Sequence, residues 1–126
     1  MRTIKFRGYN RKNEKWLYGF YLQNRGLHFV CPDEFATGKT LDDYEIDPET
    51  LGQFTGECDK NDTEIYEGDI VKFKETLRYR VVWLWFGFKL KQIGIDDCRD
   101  VVYRCHLDSV VIGNIHDNPE LLTTSK

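Results

Sequence analysis

The stretch Thr55-Gly-Glu-Cys-Asp-Lys-Asn-Asp-Thr-Glu-Ile-Tyr-Glu-Gly-Asp-Ile-Val71 crowds six acidic side chains and two glycines into one short segment. It reads as a cation site, as a carboxylate pair for acid/base chemistry, or as a polar turn feeding a strand. Asp59, Asn61 and Thr63 place side-chain oxygens at alternate positions, as a calcium loop does. The sixth position of such a loop needs glycine and holds Glu64, and the twelfth needs a bidentate glutamate and holds Ile70. Glu64, Glu67 and Asp69 are the candidates for acid/base work. On a strand, positions 65, 67 and 69 share a face and 64 points away. Carboxylates among turn residues are expected to be solvated, whereas acid/base catalysis wants a shifted pKa in a pocket. The turn reading is adopted. Asp and Asn bond their own backbone, Gly68 supplies a conformation other residues resist, and Ile70, Val71 and Phe73 anchor the next strand by burial.

Working outward, the N-terminal side reads as an antiparallel meander. Ile4-Lys-Phe-Arg7 alternates apolar and basic residues. Asn10–Lys15 is a polar turn, Trp16–Leu22 is rich in strand formers, Asn24-Arg-Gly26 is a tight-turn signature, and Leu27–Cys31 is a third strand stopped by Pro32. Pro32–Ala36 is expected to open a turn of helix, and Gly38 and Pro48 to break the segment on either side. Leu51–Gly56 is a further extended piece. On the C-terminal side, Tyr79–Leu90 is expected as one emphatic strand. Tyr79, Val81, Trp83 and Trp85 would lie on one face, with Val82, Leu84, Phe86 and Phe88 on the other. A strand apolar on both faces must be covered on both. Val101–Leu107 and Val110–Ile115 read as two more strands, and Asn118-Pro-Glu-Leu-Leu122 as a short helical turn capped by Asn118. The expected fold is mainly β. A meander over residues 1–50 packs on a small SH3-like β-barrel over residues 51–126, the two forming one compact unit.

Length and composition fit a single folded domain of 126 residues with three Trp, seven Tyr and eight Phe. No run approaches the roughly 20 apolar residues of a membrane helix, and the opening residues lack a signal-peptide pattern. The chain is read as cytoplasmic, in a bacterial host. Cys31, Cys58, Cys98 and Cys105 are far apart and form no Cys-x-x-Cys pair. They read as free thiols rather than zinc ligands. No metal or other cofactor is expected.

Charge is uneven along the chain. Residues 1–30 carry seven basic residues against Glu14 alone, and residues 31–70 carry two basic residues against thirteen acidic ones. The basic arm therefore meets either an external polyanion or the chain's own acidic middle. Lys5, Arg7, Tyr9, Arg11, Lys12 and Lys15 interleave cations with aromatics, the pattern of small barrels that bind single-stranded nucleic acid. Strand alternation alone produces the same pattern, with an aromatic row facing the core and the basic residues in solvent. Gly38-Lys-Thr40 fails as a phosphate loop, because Asp33 stands where the first glycine belongs. His28, His106 and His116 have no nucleophile at a suitable turn, so no catalytic set is expected.

Several segments, in order, resemble the YopX family of phage and prophage proteins. They are Ile4-Lys-Phe-Arg-Gly8, Asp47-Pro-Glu-Thr-Leu-Gly-Gln-Phe-Thr-Gly56, Asp59-Lys-Asn61, Glu64-Ile-Tyr-Glu-Gly-Asp-Ile-Val71 and Val111-Ile-Gly-Asn-Ile-His-Asp-Asn-Pro-Glu-Leu-Leu122. One position departs: Asp62 stands where the family pattern has glycine. The resemblance implies a small, β-rich, phage-encoded protein and supplies no reaction. The functional expectation is a non-catalytic binding or assembly module. It associates with itself through Trp83, Trp85, Phe86 and Phe88, or with another phage or host protein. The alternative is nucleic-acid binding through the basic and aromatic N-terminal strands.

Overall fold

The computed structural model describes residues 3–73, 77–84, 87–94 and 108–122. The chain divides into two compact units, Met1–Phe54 and Thr55–Lys126. The protein is mainly β. Its strands are β1 (Phe6–Asn10), β2 (Lys15–Asn24), β3 (Leu27–Cys31), β4 (Asp47–Cys58), β5 (Glu64–Tyr66), β6 (Asp69–Phe73), β7 (Leu77–Leu84), β8 (Gly87–Gln92) and β9 (Ser109–Asn114). They form two sheets, ordered β3-β2-β1-β4-β5 and β8-β7-β6-β9.

In the first unit β1 pairs antiparallel with β2 on one side and with β4 on the other. The β1–β2 loop is held by Asn10, only 1% exposed. Its Oδ1 accepts the Asn13 amide at 2.6 Å, and its Nδ2 donates to the carbonyls of Asp43 and Glu45 at 3.1 and 2.7 Å. One buried amide thus ties a local turn to a segment more than thirty residues away. The β2–β3 turn has positive φ at Arg25 and Gly26, with Asn24 opposite Leu27. The tight turn expected at Asn24-Arg-Gly26 therefore centres on Arg25 and Gly26, and Asn24 closes the strand. The core here is Leu17, Phe29, Val30, Cys31, Tyr44 and Ile46.

Two expectations in this unit are corrected. The helical turn lies at Leu41–Tyr44, as a 3-10 turn, rather than at Pro32–Ala36. The Asp43 carboxylate accepts the Thr40 amide at 3.0 Å at its start, and Tyr44 buries at its end with the Phe35 ring tilted against it, centroids 4.6 Å apart. A closed capping interaction and an aromatic anchor outweigh a proline's mere tolerance of helix. Pro48 does not break the chain but lies inside β4. The pairing of β1 with β4 shifts register between Arg7 and Tyr9. Across that bulge the Tyr9 amide donates to Thr50 Oγ1 at 2.8 Å, and Thr50 Oγ1 donates to the Asp47 carbonyl at 2.6 Å. A bulge spares the ladder the donor that proline lacks.

In the second unit β6 sits between β7 and β9. The core is Ile65, Val71, Tyr79, Val81 and Leu90, with Phe73, Leu77 and Val111 against it. Among the described residues β8-β7-β6-β9 is an open four-stranded sheet, so the barrel expected for this half does not close. Residues 79–90 are also corrected. They are not one strand: β7 ends at Leu84, β8 begins at Gly87, and the two pair antiparallel from Leu84↔Gly87 to Tyr79↔Gln92. The reversal pairs Trp83 with Phe88 on one face, where a continuous strand would have separated them. The strand expected over Val101–Leu107 lies outside the described residues. The chain's last described element is a 3-10 turn, Pro119–Leu122. The Asn118 carbonyl accepts the Leu121 amide at 3.0 Å at its start. The Asn118 Oδ1 accepts the Asn114 amide at 3.2 Å, closing the turn behind β9.

Candidate functional site

The acidic segment is a turn, and its two structural carboxylates are buried rather than solvated as expected. Asp59 is 5% and Asp69 2% exposed. Asp59 Oδ1 accepts the amides of Asn61 and Thr63 at 2.8 and 2.9 Å, and Oδ2 accepts the Val111 amide at 2.8 Å. Burial works to raise this carboxyl. The amides of Val111, Thr63 and Asn61, helped by Lys60, outweigh it and hold the group below the usual carboxylate range. Asp69 Oδ2 accepts the Tyr66 amide at 2.8 Å across the Glu67-Gly68 turn. Glu64 Oε1 accepts the Tyr66 hydroxyl at 3.0 Å. Asp59, Glu64 and Asp69 thus serve the turn, and among the described residues no three His, Cys, Asp or Glu side chains gather as a metal site.

Asp62 takes φ 65° in this turn, which explains why glycine suits the position. A non-glycine residue in the left-handed region costs roughly 1 kcal/mol. Asp62→Gly is therefore expected to raise stability by up to about 1 kcal/mol, read as a higher urea midpoint at unchanged slope.

Cys31 is buried, and burial pushes its thiol up; the Cys58 thiol is raised by burial and by the acids Glu64, Asp62, Asp59 and Glu57 around it. Both stay protonated at neutral pH and are poor nucleophiles. Cys98 and Cys105 lie outside the described residues.

Part of the basic N-terminal arm is engaged within its own unit. Lys5 Nζ lies 5.1 Å from the Phe54 ring centroid. Arg7 is 5% exposed, its guanidinium 4.9 Å from the Trp16 ring, and Tyr9 meets the same indole edge-on at 5.5 Å. Arg11 stacks 6.0 Å from the Tyr9 ring and donates from Nε and Nη2 to Asp47 Oδ2. Lys12 Nζ is 3.6 Å from Asp43 Oδ1, and Lys15 is exposed. The unit Met1–Phe54 holds eight basic and eight acidic residues. Of the cations, Arg11 pairs with Asp47 and Lys12 with Asp43. The expected arrangement of buried aromatics and solvated cations is partly inverted. Arg7 is buried, while Tyr18 and Phe20 are 49% and 46% exposed.

The other candidate surface is the β7–β8 hairpin. Along one face of β7, Tyr79 and Val81 are 5% and 3% exposed, but Trp83 is 48% exposed. Trp83 meets Phe88 edge-on at 4.8 Å. Beside this pair lies an open groove of about 210 Å³ lined by Thr55, Glu57, Ile65, Val81, Phe88, Lys89 and Leu90. The apolar row thus runs past the edge of the core at Trp83, with the groove beside it. Trp85 and Phe86, expected beside Trp83 and Phe88, lie outside the described residues. Thr55, Glu57, Ile65 and Lys89 were not legible as one site. Seeing it requires the hairpin that returns Phe88, Lys89 and Leu90 over Val81.

Two open antiparallel sheets among the described residues and a carboxylate-closed turn define a small, mainly β protein. A family model described as YopX protein matches residues 5–123, and the chain belongs to the YopX family. Comparison with curated proteins gives no match. The chain is similar to the crystal structure of protein EF1440 from Enterococcus faecalis, with a TM-score of 0.62 and 24% identity over 97% of this chain and 99% of that one. At that identity the likeness speaks for the fold alone. Among the described residues no helix is long and apolar enough to cross a membrane.

Proposed function

We propose that this chain is a phage- or prophage-encoded, non-catalytic binding and assembly module of the bacterial cytoplasm that associates with itself. The observation that carries the reading is Trp83, half exposed at the end of an otherwise buried row and braced by Phe88. A large aromatic left half in solvent keeps apolar surface hydrated. Such residues are the usual anchors of protein contacts. The engagement of Arg11 and Lys12 by Asp47 and Asp43, and of Lys5 and Arg7 by aromatic rings, favours this surface over Lys5–Lys15 as the place where a partner sits.

Light scattering at micromolar concentration is expected to give a mass above the 15.0 kDa of one chain. Trp83→Ala is expected to weaken association by about 2 kcal/mol, returning the mass to one chain with an unchanged far-ultraviolet spectrum. A wild-type monomer with no copurifying partner would overturn the reading.

A further inference from the structure

We propose that the face of β6, β7 and β8 turned away from Trp83 binds the phosphate backbone of duplex nucleic acid. Strands β6 to β9 carry five cations, Lys72, Arg78, Arg80, Lys89 and Lys91, against one acid, Asp69. That acid is buried and holds the Tyr66 amide. Strand register gathers the cations. Lys72 stands opposite Arg78, Arg80 opposite Lys91, and Lys89 opposite Val82. Side chains alternate across a sheet, so all five share one face, while Tyr79, Val81, Trp83, Phe88 and Leu90 share the other. Each of the five is partly exposed. Like charges directly opposite one another destabilise a sheet, and this face holds two such pairs on adjoining ladders. Among the described residues Arg80, Lys89 and Lys91 have no ion-pair partner. An anion laid across the strands turns that repulsion into attraction.

The nature of the anion follows from how the charge is spread. Side chains on one face of a strand repeat about every 7 Å, and neighbouring strands lie about 5 Å apart. The cations therefore form a grid, which suits a polymer of repeated anions better than a single phosphate. Among the described residues no aromatic side chain of this sheet lies on that face. Unpaired bases are held by stacking on aromatics, whereas a duplex backbone needs only cations. A duplex carries one charge per roughly 1.7 Å of axis and releases condensed counterions when cations replace them, a gain that a sparser acidic polypeptide does not offer. Trp83 is on the opposite face, so this contact does not compete with the self-association proposed above.

Fluorescence anisotropy of the full chain with a labelled, random-sequence duplex of about 20 base pairs tests the proposal. Binding at about 50 mM salt is expected, with log affinity falling against log salt at a slope of about −3 per bound chain, as three cations each neutralise one phosphate. Affinity at about 200 mM salt is then about fortyfold lower. Arg80→Gln and Lys91→Gln are each expected to reduce the slope by about one and to weaken binding severalfold on any sequence. Neither is expected to lower the urea midpoint, because each removes a like-charge pair. Arg11→Gln with Lys12→Gln, in the first unit, is expected to leave binding unchanged. No binding at the lower salt, or binding that survives Arg80→Gln and Lys91→Gln together, overturns the proposal. Equal affinity for poly-glutamate overturns it in favour of an acidic protein, and loss of binding in the Arg11 and Lys12 variant overturns it in favour of the N-terminal arm. A lowered urea midpoint with unchanged binding would show that Arg80 and Lys91 serve the fold alone. None of these outcomes touches the Trp83 contact, which light scattering reads separately.

Discussion

Asp59→Ala is expected to cost about 3 kcal/mol or more of folding stability, because it orphans three backbone amides at once. Two belong to the turn itself, Asn61 and Thr63. The third, Val111, lies 52 residues away on β9. A buried donor left without a partner costs about 1–3 kcal/mol. The Lys60 amide donates to the Ser109 carbonyl at 3.1 Å in the same corner, so losing Asp59 loosens the attachment of β9 as well as the turn. Asp59→Asn separates the two effects. With its oxygen at the Oδ1 position, the amide still accepts from Asn61 and Thr63. Its NH2 then faces the Val111 N–H, two donors with no acceptor between them. A loss between wild type and alanine is expected, with early release of β9 amides in hydrogen exchange.

The same carboxylate sets part of the acid limit. Its pKa in the folded protein is lowered. It therefore contributes stability that is fully present above the unfolded value near 3.9 and is lost as pH falls through the folded value. Denaturant midpoints followed down from neutral pH are expected to fall on that acid side in the wild type. The fall is expected to be shallower in Asp59→Asn. Equal slopes for the two proteins would show that Asp59 does not govern this limb.

What could be read from the sequence follows the range of the interactions involved. The β2–β3 hairpin was legible because its turn chemistry is local: Gly26 takes positive φ beside strand-forming residues. The acidic stretch was legible as a turn for the same reason. Burial of Asp59 was not, since its third partner is on β9. The hairpin at β7–β8 was missed because the residues between Leu84 and Gly87 are Trp-Phe, without the Gly, Asn or Asp that marks a turn. With Gly87 read as a bulge or bend, the apolar run is taken as one strand, and that reading put Trp83 and Phe88 on opposite faces. The basic arm was legible as a pattern but not as a destination. Alternation places Arg7 on a face and does not reveal that Trp16, its neighbour across β1–β2, covers it. The groove inherited both failures, since it needs the hairpin and the long-range placement of Thr55 and Glu57.

Gly19→Ala is expected to be the most damaging single methyl that can be added to the first unit. Gly19 has φ +155°, and a Cβ built there would lie 1.9 Å from the Cys31 carbonyl oxygen and 2.7 Å from its carbon. The obstruction is backbone on a paired strand, so no side chain can swing aside. β2 and β3 must separate where Phe20 faces Cys31, and that opens a core in which Val30 and Cys31 are fully buried. The expected loss is about 3 kcal/mol or more, as overpacking of 1–3 kcal/mol adds to the strain of a conformation that L residues avoid. Gly26→Ala is the control. It has φ +80° and nothing within 4 Å of the added carbon, so only the left-handed cost of roughly 1 kcal/mol applies. Thermal melts of the two variants against wild type are expected to differ by several degrees, with Gly19→Ala the lower. Equal melting points would mean that backbone conformation alone, and not the close approach of β3, reserves position 19 for glycine.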